Sequence, residues 1–394
     1  MRLHYDTIII GGGLAGLIAA KKLSEGDARA LLIDDGLTPS SGRLGGFAEF
    51  SGAKFSFLPA GQGLIPLAGS YDALVHHTDS VVAMLGLADR LQDARQDKQV
   101  SLGNGFSLRS YESIVLMPNE VRRLLEHLTA QLSTIDIMST RVVSVQHESD
   151  CWTVVTVNGS SWTSRSVLFA GGRTGGDLLI QAGAEPQQGK GLDVGVRIEF
   201  ADKRGLNGLR SIGPDAKILL DQVRTFCLNS PGHIFRYPFE NYTIPGGIVA
   251  DDSVLSANVG ILYRVLEKER ILESTKRAIL VTENACYADA ASSVTTGLGD
   301  KLQMTRSAWG ASVAEALQNF CERLGKEGLV DWTIDHRVHW PLLDWHWNVF
   351  GQPATAETTQ PGLFVAGDTA GHARGLLQAA VSGWLAAMEI ANAR

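Results

Sequence analysis

Short apolar runs alternate with a helical pattern at the start of the chain. Tyr5 to Ile10 is an isoleucine-rich run typical of a buried parallel strand, and Leu14 to Leu23 places Ala and Leu on one side of a helix. Ala30 to Asp34 is a second apolar run, and it ends in a carboxylate. The pattern therefore predicts strand, helix and strand in close succession.

The next part of the chain changes from helical to extended patterns. Ser70 to Leu87 and Asn119 to Leu132 have helical spacing. Short runs rich in Val, Thr and Trp follow, with an Asn158-Gly159 turn signal between two of them. These runs predict a three-stranded β-meander leading into a further apolar strand: Thr140–His147, Trp152–Val157, Ser160–Ser164 and Val167–Gly172.

The middle of the chain, from about Gly183 to Val349, mixes strand and helix patterns. The predicted strands are Asp193–Phe200, Arg224–Leu228, Ile234–Tyr237 and Ile248–Ala250, and the predicted helices are Glu267–Val281 and Gly310–Lys326. A turn and an apolar strand then lead to Gly367-Asp368, and a helix is predicted from Gly375 to Ala393. We therefore expect an α/β fold: a Rossmann-like domain at residues 1–182 and 351–394, with a parallel sheet and the meander, interrupted by an inserted α+β substrate domain at residues 183–350.

The first turn carries a glycine motif with a known physical use. Gly11, Gly13 and Gly16 have the G-x-G-x-x-G spacing, and Asp34 follows Gly13 by 21 residues. The glycines permit a tight turn, approach of the backbone to a pyrophosphate and close packing of helix on strand. The free N–H groups of the helix N-terminus favour phosphate, and the carboxylate suits a ribose. This context predicts a dinucleotide site and disfavours a 2′-phosphate beside Asp34.

A glycine-containing loop follows the second strand. Arg43 is a candidate ligand of the pyrophosphate, and Gly45 and Gly46 allow the backbone to lie against a flat ring system. The alternative for Arg43 is a solvated loop residue.

Composition limits the other classes of function. The chain has 394 residues, is 44% hydrophobic and carries a formal charge of −7, which argues against a nucleic-acid or anionic-membrane surface. There is no apolar stretch long enough to cross a membrane, and a strand beginning at Tyr5 leaves no room for a signal peptide. The cysteines lack a C-x-x-C pair and the histidines lack zinc-ligand spacing, so we expect reduced thiols, a cytoplasmic location and no metal site.

Three separated segments together resemble the FAD-binding fold of the glutathione reductase-type flavoproteins. They are the first dinucleotide unit, the strand ending Ala170-Gly171-Gly172, and the Leu-Phe-Val-Ala-Gly-Asp run that ends at Asp368. The resemblance implies that Asp368 holds the ribityl or pyrophosphate part of FAD. It also implies that Gly375, Leu376 and Leu377 lie near flavin N1 and O2, and that Val142 or Val143 meets the adenine.

A narrower resemblance, to a group of FAD-dependent dehydrogenases, covers five successive blocks. They are Gly45–Lys54, Ala170–Gly175, Leu192–Glu199, Arg224–Gly232 and Gly367–Gln378. That group usually has Ser-Asp-Gly-Lys where this chain has Ser51-Gly-Ala-Lys54, and its members tend to be longer. The resemblance implies the fold and the cofactor and leaves the substrate open.

The motif and the resemblance together give a set of residues expected to bind FAD without covalent attachment. They are Gly11, Gly13, Leu14, Ala15, Gly16, Asp34, Asp35, Arg43, Gly45, Gly46, Val143, Ala170, Gly171, Gly367, Asp368, Gly375, Leu376 and Leu377.

Three residues are candidates for catalysis, each with a structural alternative. Lys54 follows the glycine loop but could be an exposed surface lysine, and Arg224 could bind a substrate carboxylate or form an ion pair with Glu199 or Asp221. His372 precedes the last helix, where the alternative is a capping or solvent role. The tryptophans at 340, 345 and 347 could line a substrate or form a core between domains.

The expected function is an oxidoreductase that transfers hydride between a small molecule and FAD. No second glycine motif follows a strand, so NAD(P)H, as a transient electron donor, would share the cleft with the substrate. The alternatives are an oxidase that uses O₂, a flavin-dependent RNA-modifying protein, and a non-catalytic redox protein. Substrate identity, electron acceptor and oligomeric state stay open.

Overall fold

The computed structural model describes residues 4–36, 43–91, 105–109, 111–148, 150–239, 242–281, 291–292 and 296–393. Gly42 of the glycine loop and Cys286 lie outside these residues. The helices are α1 (Leu14–Leu23), α2 (Ile65–Ala68), α3 (Tyr71–Met84), α4 (Pro118–Ala130), α5 (Gly176–Gln181), α6 (Asn207–Ile212), α7 (Lys268–Val281), α8 (Thr296–Trp309), α9 (Ala311–Lys326) and α10 (Leu376–Asn392).

The first of two seven-stranded sheets contains the predicted dinucleotide unit. Its strands are β1 (His4–Ile10), β2 (Ala30–Asp34), β6 (Asp136–Ser139), β7 (Val142–Glu148), β8 (Cys151–Thr156), β9 (Ser161–Phe169) and β18 (Leu363–Val365). The order is β6-β2-β1-β9-β8-β7, with β18 beside the end of β9. The pairs β6–β2, β2–β1, β1–β9 and β9–β18 are parallel, while β7, β8 and β9 form the antiparallel meander. The α/β fold with a parallel-containing sheet is therefore confirmed.

The apolar residues of the first unit are buried on both faces of this sheet. Ile9 packs toward α1 and α10, while Ile8 packs on the opposite face with Trp152. At Gly16 a Cβ would overlap the carbonyl oxygen of Gly11, so helix and strand approach as closely as the motif predicts. The last helix, α10, lies on α1 at a similar distance, because a Cβ at Gly383 would overlap the carbonyl oxygen of Ala15.

One prediction in this sheet is wrong in detail. The segments Ser160–Ser164 and Val167–Gly172 are a single strand, β9, rather than two. Strand β9 pairs with β1 along its length, with β8 at its beginning and with β18 at its end. The polar residues in the middle of β9 indicated the end of one strand and the start of another. In the structure Ser166 bonds to Thr7 of β1, Oγ to Oγ1 at 3.0 Å, so the strand continues through them.

The second sheet is built mostly from the middle of the chain. Its strands are β4 (Ser107–Arg109), β10 (Leu192–Phe200), β11 (Lys217–Leu220), β12 (Val223–Asn229), β15 (Ala257–Val265), β16 (Ala291–Ser292) and β17 (His336–Asp344). The order is β16-β17-β10-β15-β12-β11-β4. Val194, Val196, Ile198 and Phe200 of β10 point to one face, where helices α7, α8 and α9 cover them. The opposite face carries the polar residues of β10.

Two small antiparallel pairs complete the described part of the chain. Strands β3 (Lys54–Ser56) and β5 (Ser113–Val115) pair beside α10, and β13 (Gly232–Phe239) pairs with β14 (Tyr242–Val249) as a hairpin. Strand β14 contacts β12 and β17, so this hairpin lies against the second sheet.

Several elements of the middle were not predicted from the sequence. Strand β15 contains Asn258 and Gly260, which interrupt the apolar run. The side chain of Leu342 comes within 2.8 Å of the position that a Cβ on Gly260 would take, so a side chain of β17, two strands away in the sheet, fills this place. Strand β11 and helix α8 were also missed. The domain boundaries at 182 and 350 remain a prediction, and strand β4, from the first predicted segment, belongs to the second sheet.

No helix in the described residues is long and apolar enough to span a membrane. Within the same residues, His, Cys, Asp and Glu form no group of three or more that could hold a metal ion.

Candidate functional site

The glycine loop after β2 lies directly on the turn that begins α1. Gly13 and Gly45 form a parallel bridge, and the amide of Gly45 donates to the carbonyl of Gly12 at 2.7 Å. Gly45 and Gly46 have φ of +127° and +56°, and a Cβ on Gly45 would overlap Leu125 of α4. Two backbone segments without side chains therefore form one surface, which we call the glycine cradle (Gly11–Gly13, Gly45 and Gly46).

The N-terminus of α1 opens onto this cradle. Gly13 is the N-cap residue and, in the part of the chain described here, no side chain caps the helix. The amides of Leu14, Ala15 and Gly16 precede the first intrahelical bond, which Leu17 makes to Gly13 at 2.9 Å. A Cβ on Gly13 would have no described atom nearer than 3.9 Å. Free amides, the helix dipole and this open space fit a pyrophosphate.

Asp34 holds the turn and faces the same cradle. Its Oδ2 accepts from the amide of Gly12 at 2.6 Å, and its Oδ1 accepts from the amide of Gly36 at 2.9 Å. Each carboxylate oxygen has a second lone pair, so a ribose hydroxyl can still donate to it. Asp35 is exposed beside it.

The remaining predicted ligands of the first half lie around this cradle or at the sheet edge. The backbone of Ala170 packs on Gly11, since its carbonyl oxygen is 2.6 Å from the position that a Cβ would take there; Gly171 is the next residue. Arg43 is exposed and lies 3.4 Å from Glu49 and 3.8 Å from Glu126. Val143 is exposed on β7.

The second predicted cofactor region lies where β18 ends and α10 begins. Gly367 has φ of +74°, and its amide donates to the hydroxyl of Ser382 on α10 at 3.0 Å. Asp368 accepts from Nε of Arg173 at 3.0 Å and has Nε of Arg374 at 3.4 Å. Gly375, with φ of +129°, is the N-cap of α10, and no described side chain caps this helix. Its first amides, from Leu376 and Leu377, fit the electron-rich edge of a flavin.

The face of the second sheet opposite the helices is charged, and the β13–β14 hairpin packs over part of it. On β10 the side chains of Asp193, Arg197 and Glu199 alternate with the buried apolar ones. Arg224 on β12 and Asp344 on β17 lie on the same face, because their register partners adjoin the same residues of β10 and β15. We call these five residues the charged sheet face.

Ion pairs organise this face. Asp193 accepts from Nη2 of Arg224 at 2.5 Å and from Nη2 of Arg264 at 2.8 Å. Burial alone would raise the pKa of Asp193, but these two guanidinium groups lower it overall. Glu199 lies 3.0 Å from Nε2 of His339, which likewise lowers the pKa of Glu199 against the effect of burial.

Arg374 joins the charged sheet face to the beginning of α10. Its Nη1 donates to Asp344, and its Nε lies 3.4 Å from Asp368. Its guanidinium carbon lies 5.0 Å from the ring centroid of Trp347, and that of Arg173 lies 4.9 Å from the same ring. Burial lowers the pKa of Arg374, and the charge of Arg173 adds to this effect.

The three tryptophans of this segment lie in two different parts of the structure. Trp345 and Trp347 stack at 5.6 Å, and Nε1 of Trp347 donates to the carbonyl of Asp368 at 2.9 Å. Trp340 is buried against Trp309 at 5.3 Å, within the helix-covered core. Trp345 and Trp347 therefore lie at the contact between the two sheets, and Trp340 does not.

The predicted catalytic residues do not form one constellation. Nζ of Lys54 donates to the carbonyl of Leu228 and lies 3.5 Å from Asp215, and burial lowers the pKa of Lys54. The side chain of Lys54 is 10% exposed, so it is not a surface lysine. Arg224 forms an ion pair, with Asp193 rather than with Glu199 or Asp221.

His372 lies apart from the other two. Its Nε2 is 2.7 Å from the carbonyl oxygen of Gln352, and burial lowers the pKa of His372. Its carbonyl oxygen accepts from Nζ of Lys190 at 2.9 Å. The catalytic roles of Lys54, Arg224 and His372 stay predictions.

Asp193, Arg197 and Asp344 were missed as site residues. The signal for the first two was present, because Leu192 to Phe200 alternates apolar and polar residues, with the polar ones on one face. Asp344 ends a strand whose apolar residues gave no such pattern.

Comparison with known proteins supports the cofactor fold. Residues 6–194 match the model of the family described as glucose inhibited division protein A, a family of FAD-binding proteins. The matched part is a little under half of the chain and includes the glycine cradle, Asp34 and the β-meander. No curated protein matches the chain.

The solved structures that this chain resembles include a monooxygenase and a hydroxylase. p-Nitrophenol 4-monooxygenase PnpA from Pseudomonas putida has 14% identity and a TM-score of 0.44, covering 100% of this chain and 79% of its own. The OxyS anhydrotetracycline hydroxylase from Streptomyces rimosus has 15% identity and a TM-score of 0.45, covering 99% and 63%. Because identity and TM-score are this low, these likenesses carry no conclusion about substrate or reaction.

Proposed function

We propose that this chain is an FAD-dependent oxidoreductase with the glutathione reductase-type FAD-binding fold, and that it transfers hydride between a small-molecule substrate and FAD. The pyrophosphate would lie on the glycine cradle and the ribose at Asp34. The ribityl chain would lie at Asp368, and the pyrimidine edge of the flavin at the N-terminus of α10. We propose non-covalent binding at these positions.

The observation that carries this proposal is the link through Arg374. One guanidinium contacts Asp344 on the charged sheet face and lies 3.4 Å from Asp368 at the cofactor end. A substrate bound on that face would therefore lie next to the cofactor. Bound FAD supplies the hydride acceptor or donor, and the protein positions the substrate and tunes the charge around the flavin.

The residues around Arg374 and the beginning of α10 favour negative charge on the cofactor. The free amides of α10 and the cation of Arg374 both attract an anion, a contribution of about 1 kcal/mol from the helix dipole. Trp347 contacts both sides of this link, because its ring lies 5.0 Å from the guanidinium carbon of Arg374 and its Nε1 donates to the carbonyl of Asp368.

The source of electrons is the part of the proposal that experiment must decide. Two donors are considered, NAD(P)H bound in the same cleft and the substrate itself. The test is an anaerobic visible spectrum of the purified protein, titrated with NADH, with NADPH, and then with amines, amino acids and hydroxy acids. We expect the oxidised flavin band, at about 450 nm for this cofactor, to bleach with one of these donors.

Each outcome has a defined meaning. Bleaching by a nicotinamide identifies a reductase, and bleaching by another donor identifies a dehydrogenase of that donor. Fast reoxidation in air with release of peroxide identifies the oxidase alternative. A protein that cannot be loaded with FAD, or whose bound flavin no donor reduces, would contradict the proposal; a yellow pellet after acid precipitation would contradict non-covalent binding.

A further inference from the structure

Three cationic side chains meet at β12 of the second sheet. Lys54 donates to the carbonyl of Leu228 and Arg197 to that of Cys227, while Arg374 pairs with Asp344, which lies 4.0 Å from Arg224 of β12. These side chains come from strands β3 and β10 and from the loop before α10. We call them, with Cys227, the cationic cluster.

Two of the three cations have carboxylate partners. Lys54 lies 3.5 Å from Asp215, and Arg374 donates to Asp344. Arg197 has none within the described ranges of the chain: its Nη1 donates to Oδ1 of Asn258 at 2.7 Å and to the carbonyl of Cys227 at 3.2 Å. The cluster therefore holds one positive charge that no described carboxylate balances.

Arg197 is also incompletely hydrogen-bonded. The residue is 1% exposed, and its Nε is buried with no partner among the residues described. A guanidinium stays charged in proteins, and an uncompensated buried charge costs several kcal/mol. Such an arrangement is stabilised when an anion binds, above all a planar group that accepts two parallel hydrogen bonds.

The surroundings of Arg197 suit a carboxylate on an apolar body. The ring of Phe226 lies 5.9 Å from its guanidinium carbon, and Phe235 and Tyr237 of the hairpin form an aromatic pair at 5.0 Å. Gly247 of β14 lies directly over the guanidinium, since a Cβ there would come within 2.5 Å of Nη1 and would overlap Oδ1 of Asn258.

We propose that the substrate of this oxidoreductase is an organic carboxylate, and that Arg197 binds its carboxylate group through Nε. The inference rests on the proposed function and adds the class of substrate. Arg374 and Lys54 contribute charge at the same position, while the apolar body of the substrate contacts Phe226. The other candidate for the missing anion is the reduced flavin, and the test separates the two.

The experiment uses the FAD-loaded protein and reads ligand binding from the spectrum of the oxidised flavin, so no turnover is needed. Benzoate is titrated against benzamide, its neutral analogue of equal shape. We expect saturable binding of benzoate and at least about tenfold weaker binding of benzamide, the loss of one charge-assisted hydrogen bond. Equal binding of the two, or no benzoate binding at millimolar concentration, would overturn the proposal.

Variants then locate the contact. Arg197→Gln should weaken benzoate at least about tenfold and leave benzamide unchanged, with Arg197→Lys between it and the wild type. Arg204→Gln, an exposed arginine paired with Asp202, is the matched control and should change neither. If Arg197→Gln loses its flavin, the comparison of the two probes on the wild-type protein still decides.

Two results would assign the cation to other roles. If Arg197→Gln keeps benzoate affinity but lowers the midpoint potential of the flavin, the anion is the reduced cofactor and the proposal fails. If benzoate does not bind although a donor reduces the flavin, the substrate class is wrong and the proposed function stands. If the protein binds benzoate but no donor reduces its flavin, the result would support the substrate class and contradict the proposed function.

Discussion

At the residue scale, the glycines of the first turn have separable roles. Gly16 is required by the protein itself, because a Cβ there would overlap the carbonyl of Gly11. Gly13 has φ of −71° and ψ of −178°, which alanine also adopts, and its Cβ would meet no described atom within 3.9 Å. The need for glycine at Gly13 therefore comes from the ligand.

Substitution by alanine should distinguish these roles. We expect Gly13→Ala to fold with a melting temperature close to that of the wild type but to bind FAD at least about tenfold more weakly, because a methyl group would occupy the pyrophosphate position. Gly16→Ala should lower the melting temperature, since helix and strand must move apart. Cofactor content and thermal unfolding measure the two effects.

Gly26 provides the control for both variants. It is exposed, and a Cβ there would have its nearest described atom at 3.9 Å, so Gly26→Ala should change neither property. Normal FAD binding by Gly13→Ala would place the pyrophosphate elsewhere.

Some single residues were predictable from the sequence and others were not. Gly11, Gly13, Gly16 and Asp34 follow from spacing alone, because a local motif fixes their geometry. The partner of Arg224 was not predictable, since Asp193 reaches it only through the pairing of strands that are distant in sequence. For Lys54 the sequence allowed either a catalytic role or an exposed position. Its low exposure depends on β12, whose Leu228 carbonyl accepts its hydrogen bond.

At the element scale, the segment after β17 packs a histidine against the hairpin. His346 makes edge contacts with Phe239 of β13 at 5.0 Å and with Trp347 at 5.2 Å. Burial lowers the pKa of His346 from 6.5 to about 3, and the charges of Arg173 and Lys268 add to this. The unfolded chain therefore binds a proton at this position that the folded chain does not bind between these pH values.

This difference predicts acid sensitivity with a defined sign. Because the unfolded state takes up the extra proton, the free energy of unfolding should fall as the pH drops from 6.5 toward 3, by at most about 1.4 kcal/mol per pH unit from this residue. His346→Phe should flatten this slope. Urea unfolding of the two proteins at neutral and acidic pH measures it.

The matched control is His127→Gln, on the exposed face of α4, which should keep the wild-type slope. A His346→Phe protein with the same slope as the wild type would mean that His346 is not the group that titrates.

The elements themselves were predicted unevenly. Strand β1, helix α1 and strand β2 agree with prediction to within one residue, because each has a strong apolar period. Strand β15 was missed because other strands supply what its glycine and asparagine lack: Leu342 of β17 fills the place beside Gly260, and Asn258 bonds to Arg197 and Asn229. Pairing in a sheet supplies what the local sequence lacks.

At the scale of the whole molecule, the proposed cofactor site draws on two stretches of the chain that are far apart in sequence but leave the same edge of the parallel strands. The glycine cradle follows β1 and β2, while Asp368 and the beginning of α10 follow β18. One ligand contacting both regions would hold α1 and α10 together. The stability of the molecule should then depend on cofactor occupancy.

Removal of FAD tests this dependence. We expect the stripped protein to melt several degrees lower, and added FAD to restore the melting temperature in a concentration-dependent way. At one hundred times the dissociation constant the gain is about 2.7 kcal/mol. AMP, which lacks the flavin half, is the control ligand and should restore only part of the shift. A melting temperature independent of FAD would contradict a site formed by both regions.

The path of the chain between the two sheets has a consequence for synthesis. Strands β1, β2 and β9 are made first, then almost all of the second sheet, and β18 and α10 only afterwards. A growing polypeptide can thus expose the surface for the adenosine part long before the residues for the isoalloxazine part leave the ribosome. Firm capture of the coenzyme would therefore wait until translation has passed Leu377, and a prematurely terminated product lacking this tail would stay colourless.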